Sequence, residues 1–409
     1  MQSKLRKRRH RFDVLKTSKG FAVIILFSLC VKAQSTTKAA SQVVVGAERT
    51  SEYLPLLSGK NVALVVNQTS LIGKTHLVDS LISLHIAVKK IFAPEHGFRG
   101  NMGAGVQISD SMDPKTGTQI ISLYGNNFKP TSDQLKGINI VVYDIQDVGV
   151  RFYTFISTLH YVMEACAENH VSLLVLDRPD PNGFYVDGPV LDSAFSSFVG
   201  VDRVPIVYGM TPAEYASMLN GEHWLKNGVR CDLHVVPCEN YTHKTLYQLP
   251  VNPSPNLRSM NAIYLYPSLC LFEGTTVSVG RGTDKPFTQI GYPGFKSGNI
   301  KFTPRSVPGA TNIYYLDQEC SGFDLSGLNE GFFEERKHLF LQWLMEFYFS
   351  YPKKKEFFTD YFDKLAGTDE LRKQIERGTP EMEIRRSWDP KLNEFKTIRK
   401  KYLLYTDFE

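Results

Sequence analysis

"NVALVVN" at residues 61–67, "THLVDSLISLH" at 75–85 and "AVKKIFAPEH" at 87–96 decide the fold when read together. The first run is almost continuously apolar and too short for a buried helix, so it reads as a strand covered on both faces. The second places its apolar residues at helical spacing, and the third returns to a strand. A strand, a helix and a second strand in so short a span predict a parallel βαβ unit, because parallel neighbours need a crossover. The alternation continues outward. "INIVVYDIQD" (138–147) reads as a strand ending in acids, "FISTLHYVMEACAENH" (155–170) as an amphipathic helix, and "VSLLVLDRPDPNG" (171–183) as another strand with a polar end. "TPAEYASMLNG" (211–221) opens with a Thr-Pro cap and stops at Gly221, and "RCDLHVVPCEN" (230–240) closes the series with a strand. The expected fold class is α/β, a Rossmann-like, mostly parallel sheet with helices on both faces, over residues 45–290. After about residue 290 Gly, Pro and Tyr become frequent, a short strand is expected at "TNIYYLD" (311–317), and "ERKHLFLQWLMEFYFSYP" (335–352) is the clearest helix. A smaller α+β domain is expected over 291–409.

The first 33 residues read as an export signal. "KLRKRRHR" (4–11) is basic, "FAVIILFSLCV" (21–31) is an apolar run of eleven residues, and Val31 and Ala33 occupy the small-residue positions of a cleavage site. Cys30 as a lipoprotein anchor is the poorer reading, because bulky Leu29 precedes it. Residues 1–33 hold nine Lys or Arg and one acid, so their removal takes the totals from 47 basic and 42 acidic residues to 38 and 41. The basic character belongs to the signal, and no nucleic-acid partner is expected. Export to the periplasm or medium follows, with no stable membrane insertion after cleavage. Of the cysteines, Cys166, Cys231, Cys238, Cys270 and Cys320 remain. An odd count cannot pair completely, and the "CDLHVVPC" spacing suits neither a bridge nor a zinc site. Buried thiols are expected.

In open parallel sheets ligands bind beyond the carboxyl ends of the strands. Three strands end in dense polar chemistry: Glu95, His96 and Arg99; Asp144, Gln146, Asp147 and Arg151; Asp177, Arg178, Asp180 and Asn182. Parallel strands put these ends on one edge, so "PEHGFRG" (94–100) is expected to wall a site. The Gly-rich run "RGNMGAGVQ" (99–107) fits neither the dinucleotide nor the P-loop pattern, and no cofactor is expected.

The blocks "FAPEHGFRG", "YDIQDVGVRFYTF", "LDRPDPNG", "NPSPNLRSM" and "EGTTVSVGRGTDKPFTQIGYP" resemble the signature blocks of the bacterial exo-β-N-acetylmuramidases, formerly a domain of unknown function. Phe184 stands where another glycine is expected. The resemblance implies a Rossmann-like N-terminal domain, a smaller C-terminal domain and an active cleft between them. It implies removal of N-acetylmuramic acid from the non-reducing end of peptidoglycan fragments, and it places the family's catalytic glutamate at Glu95.

Glycoside hydrolysis needs one carboxyl group to protonate the leaving oxygen and a second group to activate water or attack the sugar. Glu95, between Phe92 and Phe98, is the expected acid. Asp144, Asp147 and Asp177 are candidates for the second group, and His96 for a base or an orienting partner. Muramic acid carries a lactyl carboxylate that a guanidinium binds bidentately. Arg99, Arg151, Arg258 and Arg281 are the candidates for it, with Asp177 and Arg178 also placed at the substrate. Asn256, Arg258, Glu273, Thr275, Arg281 and Asp284 are expected on the opposite wall. Two other readings fit the same residues. One is a metal-dependent hydrolase using Glu95, His96, Asp144 and Asp147; the other is a non-catalytic glycan-binding protein with tyrosine platforms.

Overall fold

The computed structural model describes residues 42–95, 97–98, 111–307 and 310–409. The expected signal at 1–33, His96, Arg99 and the Gly-rich run at 99–107 lie outside the described residues. Among these, strands β1 (Asn61–Val66), β4 (Ala87–Ala93), β6 (Gln119–Ser122), β7 (Ile140–Asp144), β8 (Ser172–Leu176) and β9 (Leu233–Val236) pair in parallel. The sheet order is β5-β6-β4-β1-β7-β8-β9, with β5 (Ser111–Met112) antiparallel on the edge; β2 (Leu71–Ile72) and β3 (Thr75–His76) form a separate hairpin. Taken without β5, this is the doubly wound order in which the chain reverses direction across the sheet between β1 and β7. The sheet is therefore the Rossmann-like one expected.

The continuous apolar runs are explained by two cores, one on each face. Val62, Leu64 and Val66 point to one, with Ile91, Ile140 and Leu174; helices α1 (Thr50–Leu57) and α2 (Leu77–Ser83) cover it. Ala63 and Val65 point to the other, with Phe92, Val141 and Leu173. There they meet α4 (Phe155–Glu168) and α5 (Pro212–Gly221), while α3 (Ser132–Leu135) precedes β7. Successive residues of a strand face opposite sides, so burial on both requires apolar residues at every position.

The second core runs on without a break through α6 (Met260–Leu269) to Phe395. Beyond α6 lies a separate antiparallel sheet, β10 (Gln289–Tyr292), β12 (Cys320–Asp324) and β11 (Ile300–Phe302), in the order β10-β12-β11. Helices α7 (Glu330–Arg336), α8 (Leu341–Ser350), α9 (Asp360–Ala366), α10 (Glu370–Glu376) and α11 (Glu381–Arg399) complete this smaller α+β part. Two expectations are corrected here. The helix expected over 335–352 is broken: Lys337 adopts left-handed φ of 51°, and the Leu339 and Phe340 amides bond to Asp187 and Ser268 instead of a helical carbonyl. "TNIYYLD" is no strand but a turn with positive φ at Asn312, Tyr315 and Asp317. The five cysteines Cys166, Cys231, Cys238, Cys270 and Cys320 are buried and unbridged. No helix of the described residues is long and apolar enough to cross a membrane.

Candidate active site

Strand β4 ends where Pro94 removes a backbone donor, and the chain turns at Gly97, whose amide bonds back to the Pro94 carbonyl at 3.0 Å and whose φ is 78°. Phe92 is buried in one core and Phe98 in the other, which pins both ends of this turn. Glu95 is left half-buried between them, on the wall of a cavity of about 640 Å³. Thr154, at the N-terminus of α4, makes no cap to its own helix; its hydroxyl donates to Glu95 Oε2 at 2.9 Å. The Tyr124 hydroxyl is also bonded to Glu95; burial, and then the neighbouring carboxylate, raise its pKa above the ordinary phenol value. Two hydroxyl donors therefore orient a carboxyl group that still faces open volume.

The facing wall comes from the later half of the chain. Glu273 lies in the 3-10 turn Cys270–Gly274 after α6, and Arg281 Nε donates to its Oε1 at 2.6 Å. Burial alone would lower the Arg281 pKa; the Glu273 carboxylate outweighs this and holds the guanidinium firmly charged. Its Nη1 is buried with no hydrogen-bond partner among the described residues, as is Nδ2 of Asn256, and both residues line the cavity. A buried donor with no protein partner calls for an acceptor, and for these two, which line a cavity, a ligand can supply it. The rings of Phe152, Tyr153, Tyr266 and Phe287 form the apolar floor, with Tyr314 and Tyr361 at the more exposed rim. The volume and the mix of aromatic lining with few polar groups suit a small ligand such as a saccharide unit.

The other expected residues lie elsewhere. Asp144 is fully buried, and both its oxygens accept from Arg178, at 2.5 and 2.9 Å. Asp147 accepts from the Tyr208 hydroxyl and from the Gly149 amide; burial pushes its pKa up to about 6 against those bonds. Asp177 accepts from Thr211 Oγ1, the Ala213 amide and Tyr405 Oη, tying α5 and the C-terminal tail to β8. Burial raises its pKa to about 7. Arg151 donates to four backbone carbonyls, those of Pro189, Val204, Leu365 and Ala366, and burial lowers its pKa to about 9. Gly367 must lack a side chain there, since a Cβ would stand 2.5 Å from Arg151 Nη2. None of Asp144, Asp147, Arg151, Asp177 or Arg178 lines the cavity. The crevice between β1 and β7, where sheets of this order hold their ligand, is filled by the chain itself. Ser70 bonds to the Asp144 carbonyl, Thr69 accepts from the Gln146 amide, and Arg178 reaches the Leu71 carbonyl. Of the strand-end charges among the described residues, Glu95 lines the cavity, while Asp144, Asp147, Arg151, Asp177 and Arg178 are buried away from it.

On the opposite wall Asn256, Glu273 and Arg281 are brought to Glu95's cavity; Thr275 is buried against its own turn, with Oγ1 on the Phe272 carbonyl. Arg258 and Asp284 face a neighbouring groove. The metal reading loses two of its four donors at this cavity, because Asp144 and Asp147 do not line it; Asp144 has both oxygens on Arg178, and Asp147 has Oδ2 on Tyr208 and Gly149. Sequence reasoning missed Tyr124, Thr154, Tyr314 and Tyr361. Thr154 stood inside the "YDIQDVGVRFYTF" block and was findable; a tyrosine on a short amphipathic helix such as Tyr361 carries no signal.

Comparison with known proteins matches the whole of this architecture. A family model described as exo-β-N-acetylmuramidase NamZ, N-terminal, covers residues 62–261, and its C-terminal counterpart covers 264–405, so the two meet in the first turns of α6. A Bacillus subtilis (strain 168) protein, peptidoglycan β-N-acetylmuramidase NamZ, is 37% identical over 407 residues, spanning 94% of this chain and 97% of the relative. A crystal structure of a DUF1343 family protein from Bacteroides fragilis NCTC 9343 is 47% identical, with a TM-score of 0.84 over 90% of this chain and 100% of its own. A second from the same organism is 27% identical, with a TM-score of 0.76 over 89% and 99%.

Proposed function

The chain belongs to the NamZ family of exo-β-N-acetylmuramidases, and from that premise we propose how its cavity releases N-acetylmuramic acid from the non-reducing end of peptidoglycan fragments. It is a glycoside hydrolase with peptidoglycan-derived substrates. The observation that carries the assignment of roles is the sharing of one cavity by Glu95 and the Arg281–Glu273 pair. Glu95, oriented by Thr154 and Tyr124, delivers the proton to the departing glycosidic oxygen. Arg281, held by Glu273 through Nε and Nη2, turns its free Nη1 to the lactyl carboxylate. Asn256 Nδ2 donates to the acetamido carbonyl oxygen. The aromatic floor takes the apolar face of the sugar. Glu273 lines this cavity and Asp144, Asp147 and Asp177 do not, which supports Glu273 over those three as the second carboxyl group.

Incubating the protein with a chromogenic β-N-acetylmuramide and with the matching glucosaminide tests this reading. Turnover of the muramide alone is expected, since a site built around a carboxylate clamp rejects the sugar lacking it. Equal turnover of both would remove the clamp, and binding without turnover would favour a glycan-binding protein. We also propose export, to the periplasm or medium, with cleavage near Ala33; N-terminal sequencing of secreted protein that began at Met1 would reject it.

A further inference from the structure

The loop that carries Arg281 into the cavity continues directly into a second concavity. Gly282, Thr283, Asp284 and Lys285 line a groove of about 690 Å³. Its far side is anchored to the same loop, because the Arg305 amide bonds to the Gly282 carbonyl at 2.8 Å, and Gly282, with φ of 82°, leaves no room for a Cβ against it. Four cations, Arg258, Lys285, Lys301 and Arg305, line this groove against two carboxylates, Asp284 and Asp324. Glu319 and Asp317, which pair with Lys301 and Arg305, bring the carboxylates at the groove to four, so its attraction for an anion rests on how weakly those pairs are held. Lys285 is neutralised by Asp324 at 2.7 Å. Lys301 and Arg305 pair with Glu319 and Asp317, but these pairs are solvent-exposed and so cheaply exchanged. Arg258 is exposed and has no carboxylate partner among the described residues; its Nε rests on the Pro255 carbonyl.

We infer that this groove binds carboxylates on the leaving-group side of the scissile bond, so that the enzyme reads charge beyond the sugar it removes. The inference rests on the muramidase reading above. In a glycan whose sugars alternate between glucosamine and muramic acid, the sugar after the leaving glucosamine again bears a lactyl carboxylate, free or extended by a peptide with carboxylates of its own. A groove continuous with the clamp loop offers those groups the exposed Arg258, Lys301 and Arg305 at the cost of weak surface pairs only.

The test compares kcat/KM on the chromogenic muramide with that on three trisaccharides, whose third sugar carries a free lactyl carboxylate, its neutral amide, or a peptide. The free acid is expected to exceed the amide by roughly threefold to tenfold, as for one or two exposed ion pairs, and to lose that margin in high salt. In Lys301→Ala/Arg305→Ala the ratio of free acid to amide should fall towards one. Both side chains are exposed, and a melting temperature matching the parent's confirms the fold. A preference seen only with the peptide-bearing sugar would support carboxylate recognition and identify the peptide as its source. Equal kcat/KM for all three trisaccharides, with the muramide still cleaved, would overturn the groove alone. A protein inert on the muramide would overturn the muramidase reading and this inference with it.

Discussion

At the scale of single residues, Arg151 and Arg281 are the same side chain in opposite employment. Arg151 spends its Nη donors on four carbonyls, whereas Arg281 keeps Nη1 free at the cavity wall. Arg281→Ala is expected to raise KM for a muramide by roughly tenfold or more, since truncating one partner of a buried charge pair costs about 2 kcal/mol or more. Arg281→Lys should restore little, because an ammonium cannot hold Glu273 and a ligand carboxylate in one plane. An unchanged KM in both variants would dismiss the clamp. Arg151→Ala should instead lower the melting temperature, by leaving buried carbonyls unsatisfied. Sequence could not separate the two. Each follows a polar block, and only depth below the surface distinguishes scaffold from site. Glu95 was legible because a turn of Pro, Glu and Gly between two phenylalanines pins a carboxylate at a strand end. Asp144 and Asp177, also at strand ends, were equally visible and are buried.

At the scale of elements, the strands and the major helices of the first half were legible, because two-face burial writes itself as unbroken apolar runs and caps such as Thr211 mark helix starts. The second half was harder to read: the break between α7 and α8 depends on tertiary bonds from Leu339 and Phe340, which local pattern does not contain. One element-level contact has a pH signature. His160 on α4 pairs with Glu164 at 3.1 Å and with Asp202 at 2.9 Å. Burial opposes its charge, but the two carboxylates raise its pKa from 6.5 to about 9, while Glu164 falls from 4.5 to about 2. A raised histidine contributes fully below its unfolded pKa and loses that contribution as pH rises through 9. A lowered glutamate contributes above 4.5 and loses it as pH falls through 2. The cluster is therefore strongest between about pH 4.5 and 6.5. His160→Gln should lower the melting temperature most at pH 6, by an amount on the order of 3 kcal/mol in stability, and progressively less towards pH 9. A deficit independent of pH over that range would mean that His160 is neutral in the fold.

At the scale of the whole molecule, one core extends from Ala63 in the sheet to Phe395 in α11, across the junction of the two family models. Residues 42–409 should accordingly unfold in one calorimetric transition, and two resolved transitions would contradict that continuity. The same continuity holds the two walls of the cavity in register, with Glu95 from the sheet edge and Arg281 from the later half. Most directly, the account stands on the role of Glu95. Glu95→Gln keeps the shape, and its amide oxygen can still accept from a neighbouring hydroxyl such as Thr154's, but the transferable proton is removed. The decisive measurement is kcat of this variant on two muramides, one with a poor leaving group and one with an activated phenolate. The expected result is a fall of roughly 10²- to 10⁴-fold on the first and a clearly smaller fall on the second, at unchanged melting temperature. Equal small losses on both substrates, with a lowered melting temperature, would make Glu95 part of the scaffold and contradict the account.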